Sequence, residues 1–173
     1  DRLRGQIMRA GALRALLEYV RRFDKSAHRP GAVNALQCIS SLARDSRNIG
    51  VFLEHFELVM STLGDVMRRE THAKLRNPIA FSFAALCRGS DLRARIVRLP
   101  AFASDVLEPC VELGLAAEPS FFGLIALSNI VRDDLGAETL LRKFGAARLI
   151  DRLVDLTRHR DDGLAGAACD LIA

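Results

Sequence analysis

Three arginines recur along the chain at one fixed interval. Arg44, Arg88 and Arg132 stand 44 residues apart, and each follows an apolar run rich in small residues. A guanidinium presents a planar fork of donors to a carboxylate, so this arginine ladder favours acidic side chains of a partner. A cation at a helix C-terminus is also stabilised by about 0.3–1 kcal/mol, so helix-end electrostatics explain the same residues. The two interpretations are compatible.

A polar residue also interrupts one of the apolar runs, "IALSNIV", at Asn129. In a helix, Ile125, Asn129 and Arg132 share one stripe, opposite the packed Leu127 and Ile130. We therefore predict that Asn129 is exposed on a groove rather than buried. Steps of 44 residues give the corresponding stripes Phe81, Ala85, Arg88 and Gln37, Ser41, Arg44. Phe81 then offers apolar surface to a partner, or a neighbouring helix buries it if the facing is off by one residue.

No residues are spaced for catalysis. The histidines are dispersed, the carboxylate pairs in "RDD" and "HRDD" suit helix capping, and neither a nucleophile elbow nor a phosphate-binding loop occurs. The cysteines, far apart and without metal-ligand spacing, predict small buried thiols in a reduced compartment; they are Cys38, Cys87, Cys110 and Cys169. We expect a protein that is not an enzyme, with no cofactor, no metal site and no small-molecule substrate.

A second set of cations lies in polar turns, "RRFDKSAHRP", "RRETHAKLRNP" and "TRHRDDG". If the helices stack, these turns meet along one edge, which could attract an acidic protein segment or nucleic-acid phosphate. The other interpretation is a set of solvated, charged turns. The predicted basic edge comprises Arg21, Arg22, Lys25, Arg29, Arg68, Arg69, Lys74, Arg76, Arg158 and Arg160.

Composition is that of one folded domain or a short repeat array. The chain has 173 residues, 50% hydrophobic and 27% charged, with a net charge of +4. No apolar run approaches the roughly 18 residues that span a bilayer, so we predict no membrane insertion. The chain begins at Asp1, and its first and last segments are interpreted as helices cut within their pattern, which predicts a fragment.

The apolar residues predict helices that repeat. Leu42, Leu86 and Ile130 stand 44 residues apart and Ile172 follows 42 residues later, within the window of helical repeats. Between them lie amphipathic stripes, and we predict a shared core of Leu13, Leu42, Leu63, Leu86, Leu127, Ile130 and Leu153.

Prolines punctuate the predicted helices. Pro30, Pro78 and Pro119 each precede an alanine-rich helix, with Asn77 as the expected N-cap residue at the second. Pro109 lies within a stripe, where it should kink or restart the helix.

The order of short helix, Gly-Ala turn, long helix, polar turn and alanine-rich helix resembles the armadillo repeat family. The closest stretch is "LLRKFGAARLIDRLVDLTRHRDDGLAGAACDLIA". The resemblance implies an all-α, right-handed α-solenoid of three-helix repeats, with HEAT repeats as the near alternative. The predicted solenoid covers residues 1–173: a leading short helix 1–10, repeats 11–55, 56–101 and 102–144, and a truncated repeat 145–173.

The resemblance also implies a concave groove lined by each repeat's third helix. In the family, asparagines there bond the backbone of an extended peptide, and tryptophans one turn earlier stack on its side chains. Asn129 matches the asparagine, whereas Ser41 and Ala85 do not, and Phe81 stands at a tryptophan position. A repeated backbone clamp is therefore missing, and recognition of nuclear-import signals is not expected.

The function that the resemblance implies is a non-catalytic scaffold or adaptor for protein–protein interaction. It would bind a peptide or helix with acidic and apolar residues in the groove. The alternatives are a structural segment of a large assembly that uses its outer face or basic edge, and a nucleic-acid-binding solenoid. We predict a cytoplasmic location, with the nucleus as alternative. The predicted groove comprises Gln37, Ser41, Arg44, Phe81, Ala85, Arg88, Ile125, Asn129 and Arg132.

Overall fold

The structure is a computed structural model that describes residues 6, 8, 11–22, 29–70 and 73–172. The described helices are α1 (Ala12–Arg22), α2 (Arg29–Ala43), α3 (Ile49–Glu54), α4 (Phe56–Arg69), α5 (Ala73–Leu86), α6 (Ser90–Val97), α7 (Glu108–Gly114), α8 (Phe121–Ile130), α9 (Asp134–Phe144), α10 (Ala146–Leu156) and α11 (Asp162–Ile172). A 3-10 turn (Ser46–Asn48) leads into α3, and a π-helical turn (Ala103–Leu107) leads into α7. None of these helices has the length and apolar composition that crossing a membrane requires.

The alanine-rich helices form one row. Helix α2 packs against α5, α5 against α8, and α8 against α11. A second layer runs beside this row, because α1 packs on α4 and α4 on the π-helical turn. Each member of the second layer also packs on its own alanine-rich helix, as α1 does on α2 and α10 on α11. This two-layer stack is what the 44-residue spacing predicts.

The residues of the repeated spacing lie in the core. Leu42, Leu86 and Ile130 are 8%, 2% and 0% exposed, and they belong to one apolar cluster that extends from α1 to α10. A smaller cluster lies between α8, α10 and α11, and Leu115 and Ile125 pack against both clusters. Burial of one such side chain contributes about 1.5–3 kcal/mol, so this apolar spine stabilises the stack. The remaining predicted core residues, Leu13, Leu63, Leu127 and Leu153, are buried as well.

Two glycines form the predicted turns into the second-layer helices. Gly11 and Gly145 have φ angles of 84° and 78°, values that residues with a Cβ atom rarely adopt. Gly145 both ends α9 and begins α10. The junction of α3 and α4 lacks such a glycine, and His55 breaks the helix there with a φ of −102°.

The prolines behave in two ways. Helix α7 restarts at Glu108, with Pro109 in its first turn after the π-helical turn, which confirms the expected restart. The expectation for Pro78 is wrong, because α5 begins at Ala73 and continues through the proline, so Asn77 is not an N-cap residue. The proline removes only one backbone donor so near the helix start, and the apolar packing of α5 in the row outweighs that loss.

Candidate functional site

One face of the row carries the predicted groove residues. The exposed positions are Gln37, Ser41, Arg44, Arg88 and Arg132. The half-buried positions are Phe81, Ala85 and Ile125, whereas Asn129 is buried. The row therefore places eight of the nine residues where solvent reaches them, on three neighbouring helices. Their role in binding remains a prediction.

The arginine ladder meets an aromatic ring at its first position. The guanidinium carbon of Arg44 lies 5.7 Å from the ring centroid of Phe81, which is within range of a cation–π contact. Arg44 comes from the end of α2 and Phe81 from the middle of α5, so this contact joins two neighbouring helices. It holds the cation beside apolar surface on the solvent-facing stripe.

Phe81 is the first ring of an aromatic cluster that the sequence analysis missed. Its ring centroid lies 4.6 Å from that of Phe122, and the centroid of Phe121 lies 5.8 Å from that of Phe122. Phe121 is 43% exposed. Each of the two interpretations of Phe81 holds in part, since the Phe122 ring packs against it and a minor part of its surface reaches solvent. Helical spacing could have found Phe122, because it lies three residues before Ile125 on the same stripe.

Asn129 does not face the groove, and the prediction that it is exposed is wrong. Its side chain is 8% exposed, and its Nδ2 donates a hydrogen bond of 2.9 Å to the carbonyl oxygen of Ala84 in α5. Ala84 and Ala85 are small, so α5 and α8 approach closely enough for the amide to reach the neighbouring backbone. Asn129 therefore joins two helices of the row rather than offering a free amide to a ligand.

The junction of α2 and α5 carries a similar polar link. The buried hydroxyls of Ser40 and Ser82 lie 2.8 Å apart, and each also lies 3.0 Å from the carbonyl oxygen of Pro78. Buried polar groups that are paired in this way do not weaken the core. The row is thus fixed by a polar contact at both of these junctions, beneath the solvent-facing stripe.

A cavity of 310 Å³ opens where α2 and α5 end. Arg44 and Arg88 line it together with the backbone and side chains of the following turns, including Ser46, Ile49, Gly89 and Leu92. It lies next to the aromatic cluster, because Ala85 lines the cavity one helical turn after Phe81. The solvent-facing stripe therefore combines an apolar platform with a cavity that two cations border.

Several arginines of the predicted basic edge contact other residues of the protein. Arg68 pairs with Asp65 and with Asp105, and Arg69 donates a hydrogen bond of 3.3 Å to the carbonyl oxygen of Val20. Arg76 is half-buried and lies 2.7 Å from Glu112. These arginines fasten neighbouring helices. The edge residues that the structure shows exposed are Arg21, Arg22, Arg68, Arg69, Lys74, Arg158 and Arg160, whereas Lys25 and the side chain of Arg29 lie outside the described residues.

The four thiols are free, and they fall into two classes. Cys87 and Cys110 are buried, and burial raises the pKa of Cys87 to about 12. Burial also raises the pKa of Cys110, with a smaller contribution from the neighbouring Cys87. The expectation of four buried thiols is wrong for Cys38 and Cys169, which are exposed because they lie on the outward side of α2 and α11. Among the described residues, no three His, Cys, Asp or Glu side chains group as a metal site would require.

Solved structures with similar coordinates decide the fold. A designed armadillo repeat protein in complex with the peptide (KR)4 matches with a TM-score of 0.77 at 18% identity, over 99% of this chain and 67% of the designed chain. This chain is an α-solenoid of armadillo type. An engineered protein solved by the Northeast Structural Genomics Consortium matches with a TM-score of 0.71 at 19% identity, over 92% of this chain and 62% of that one. Comparison of the sequence with protein-family models and with curated proteins finds no match.

The armadillo-type fold relates the row of alanine-rich helices to the helices of repeat units. In the predicted repeat order, the alanine-rich helices α2, α5, α8 and α11 correspond to the third helices of successive units, and their outward stripe forms the candidate face. The fold prediction is confirmed, whereas the repeat boundaries and the binding residues remain predictions.

Proposed function

We propose that this protein is a non-catalytic scaffold that holds an extended peptide or a helix of a partner protein on the stripe of α2, α5 and α8. The observation that carries the proposal is the combination of exposed cations and accessible aromatic rings on one continuous face. Arg44 and Arg88 are exposed there, and the ring of Phe81 is half-buried. Coverage of such apolar surface contributes about 25 cal/mol per Å².

The charge of the face supports a partner with acidic residues. The designed armadillo protein was solved with a peptide of lysines and arginines. Here the corresponding row ends in three exposed arginines, and the whole chain has a net charge of +4. Like charges across an interface repel, so a strongly basic peptide is a poor ligand for this face and an acidic one is favoured.

A direct test uses two fluorescein-labelled peptides, the acidic (EL)4 and the basic (KR)4, with fluorescence anisotropy as the readout. The alternation places all glutamates on one side of the extended peptide and all leucines on the other. We expect (EL)4 to bind and (KR)4 to bind at least about tenfold more weakly. Phe81→Glu and Arg88→Glu should each lower the affinity for (EL)4 by about tenfold or more.

The matched control is Arg160→Glu, which makes the same charge change on the exposed part of the basic edge. It should leave the affinity for (EL)4 within about twofold at moderate salt, because charges beyond a Debye length of roughly 10 Å are screened. Far-ultraviolet circular dichroism checks that each variant is folded. If Phe81→Glu and Arg88→Glu bind like the parent, or if Arg160→Glu alone weakens binding, the stripe is the wrong surface.

A second candidate is a structural segment of a larger assembly. Its specific support is an accumulation of exposed apolar side chains on α9, α10 and α11, namely Leu135, Leu141, Ile150, Val154 and Ile172. On this proposal the partner covers the side of these helices instead of the stripe. Substitution of Ile150 and Val154 by glutamate would then abolish the association while leaving (EL)4 binding unchanged.

A further inference from the structure

The lining of the cavity at the ends of α2 and α5 is positively charged. Of the nine residues that line it, two are arginines and none is acidic. The remaining lining residues form a largely apolar floor that includes Ile49 and Leu92. A charge at such a site is less screened than one in open water, so an anionic group that enters gains more from the two guanidiniums.

The corresponding turns of the neighbouring units carry their own carboxylates. Asp45, Gly89 and Asp133 stand 44 residues apart, each directly after an arginine of the ladder. Asp133 accepts a hydrogen bond of 3.2 Å from the backbone N–H of Leu135, and Asp45 accepts one of 3.1 Å from that of Arg47. At Gly89 the side chain is missing, so the middle arginine has no acidic neighbour at this sequence position.

The three turns also differ in how they pack at a second position that repeats every 44 residues. Asn48, Leu92 and Gly136 also stand 44 residues apart. Asn48 is buried and donates a hydrogen bond of 3.0 Å to the carbonyl oxygen of Leu42. A Cβ atom built on Gly136 would lie 2.5 Å from the carbonyl oxygen of Ile130, so α9 packs directly onto the end of α8. At the middle turn the corresponding residue is Leu92, which lines the cavity.

The cavity adjoins the aromatic platform formed by Phe81, Phe122 and Phe121. Arg44 belongs to both, because it lines the cavity and lies 5.7 Å from the Phe81 ring centroid. Neighbouring helices of the row lie about 8–10 Å apart, and an extended chain advances about 3.3 Å per residue. One peptide can therefore reach both places with side chains about two to four residues apart.

We infer that the cavity is a receptor for one carboxylate side chain of the groove-bound peptide, and that the platform receives an apolar side chain a few residues away. The inference rests on the proposed function and adds what that site selects: a partner segment in which an acidic residue stands at a fixed short distance from an apolar one. The ligand supplies, from outside, the carboxylate that the neighbouring turns carry as Asp45 and Asp133.

The decisive variant is Gly89→Asp, which places that carboxylate in the cavity from within. The site accommodates it, since a Cβ atom on Gly89 would meet only the Ile49 side chain at 3.5 Å, and the backbone φ of −81° suits any residue. Aspartate is also favoured at the start of a helix, so the variant should fold at least as stably as the parent. The matched control is Gly50→Asp, which adds the same charge at an exposed position where a Cβ atom meets nothing within 4 Å.

The probes are labelled (EL)4 and its neutral counterpart (QL)4. We expect the parent and Gly50→Asp to bind (EL)4 about tenfold or more tightly than (QL)4. In Gly89→Asp this preference should fall to about twofold or less, while the affinity for (QL)4 stays near that of the parent.

Each other outcome has a defined meaning. If Gly89→Asp keeps the full preference for (EL)4, or if the parent binds both peptides equally, the carboxylate cavity is overturned while groove binding stands. If neither peptide binds the parent protein at millimolar concentration, the proposed function fails, and this inference fails with it.

Discussion

The ends of α5 and α8 are the same place in two successive units, yet the first borders a cavity and the second packs against Gly136. After α5 come Arg88 and Gly89, and both line a cavity of 310 Å³ together with Leu92. After α8 comes Asp133, which caps α9, and Gly136 lies directly against the end of α8. Both helices rest on the same apolar spine. The two turns therefore differ in their local packing within the same fold.

The comparison extends along the two stripes. In α5 the stripe presents Phe81 and Ala85, both half-buried, to the neighbouring helices and to solvent. In α8 the residue that corresponds to Ala85 is Asn129, and its amide is bonded to the backbone of α5. Corresponding positions thus differ, since Asn129 is buried between helices and Ala85 is partly exposed to solvent.

The largest effect should come from the spine beneath the two turns. Ile130→Ala and Leu86→Ala should each lower the free energy of unfolding by about 2–5 kcal/mol, because each leaves a cavity in the core. Ile130→Ala should be the costlier, since Ile130 is enclosed whereas Leu86 borders the open cavity. Urea unfolding followed by circular dichroism measures both, with Leu141→Ala on the surface as control. Losses below about 1 kcal/mol for both residues would contradict a shared core.

Glycine substitutions in the turns after α5 and α8 should have intermediate and unequal effects on stability. Gly136→Ala should cost about 1–3 kcal/mol, because its Cβ atom would lie 2.5 Å from a backbone carbonyl oxygen that cannot move aside. Gly89→Ala should cost no more than about 1 kcal/mol, since its Cβ atom meets one flexible side chain at 3.5 Å and the remaining loss is that of a poorer N-cap residue. Thermal unfolding of the Gly136→Ala and Gly89→Ala variants measures the two costs. Equal costs would show that the two turns do not differ as described.

A smaller effect should distinguish the stripes. Asn129→Ala should lower the free energy of unfolding by about 1 kcal/mol, since it removes one buried hydrogen bond, and it should leave the affinity for (EL)4 unchanged. Ser41→Ala, at the corresponding exposed position of α2, should have almost no effect on stability. If Asn129→Ala instead abolished peptide binding without loss of stability, its amide would face the ligand after all.

The stacking of the helices could be predicted from the sequence because the apolar core residues recur at a fixed interval. The 44-residue interval between Leu42, Leu86 and Ile130 reflects a stack whose buried positions repeat, and all three are buried. The Gly-Ala turn at Gly145 has a local cause in its positive φ, which the residue type already indicates. The restart at Pro109 follows from its missing backbone donor.

The details of the face depend on how closely two helices approach, which no single helix encodes. Asn129 lies at the edge of its stripe, and only the short distance that Ala84 permits turns it towards α5. Likewise, Arg68 and Arg76 belong to the predicted basic edge, but acidic residues of neighbouring elements pair with them. The cavity is lined by residues of two successive turns, from Ala43 to Ile49 and from Ala85 to Leu92, and the spacing of those residues in the sequence does not reveal how the turns pack.

The most direct test of the central claim is amide chemical-shift mapping of the isotope-labelled protein during titration with (EL)4. We expect the shifts to change along the stripes of α2, α5 and α8 and around Gly89, with little change on α10 or at Arg158 and Arg160. Changes confined to α9–α11 or to the basic edge would contradict the assignment of the row's stripe as the binding face.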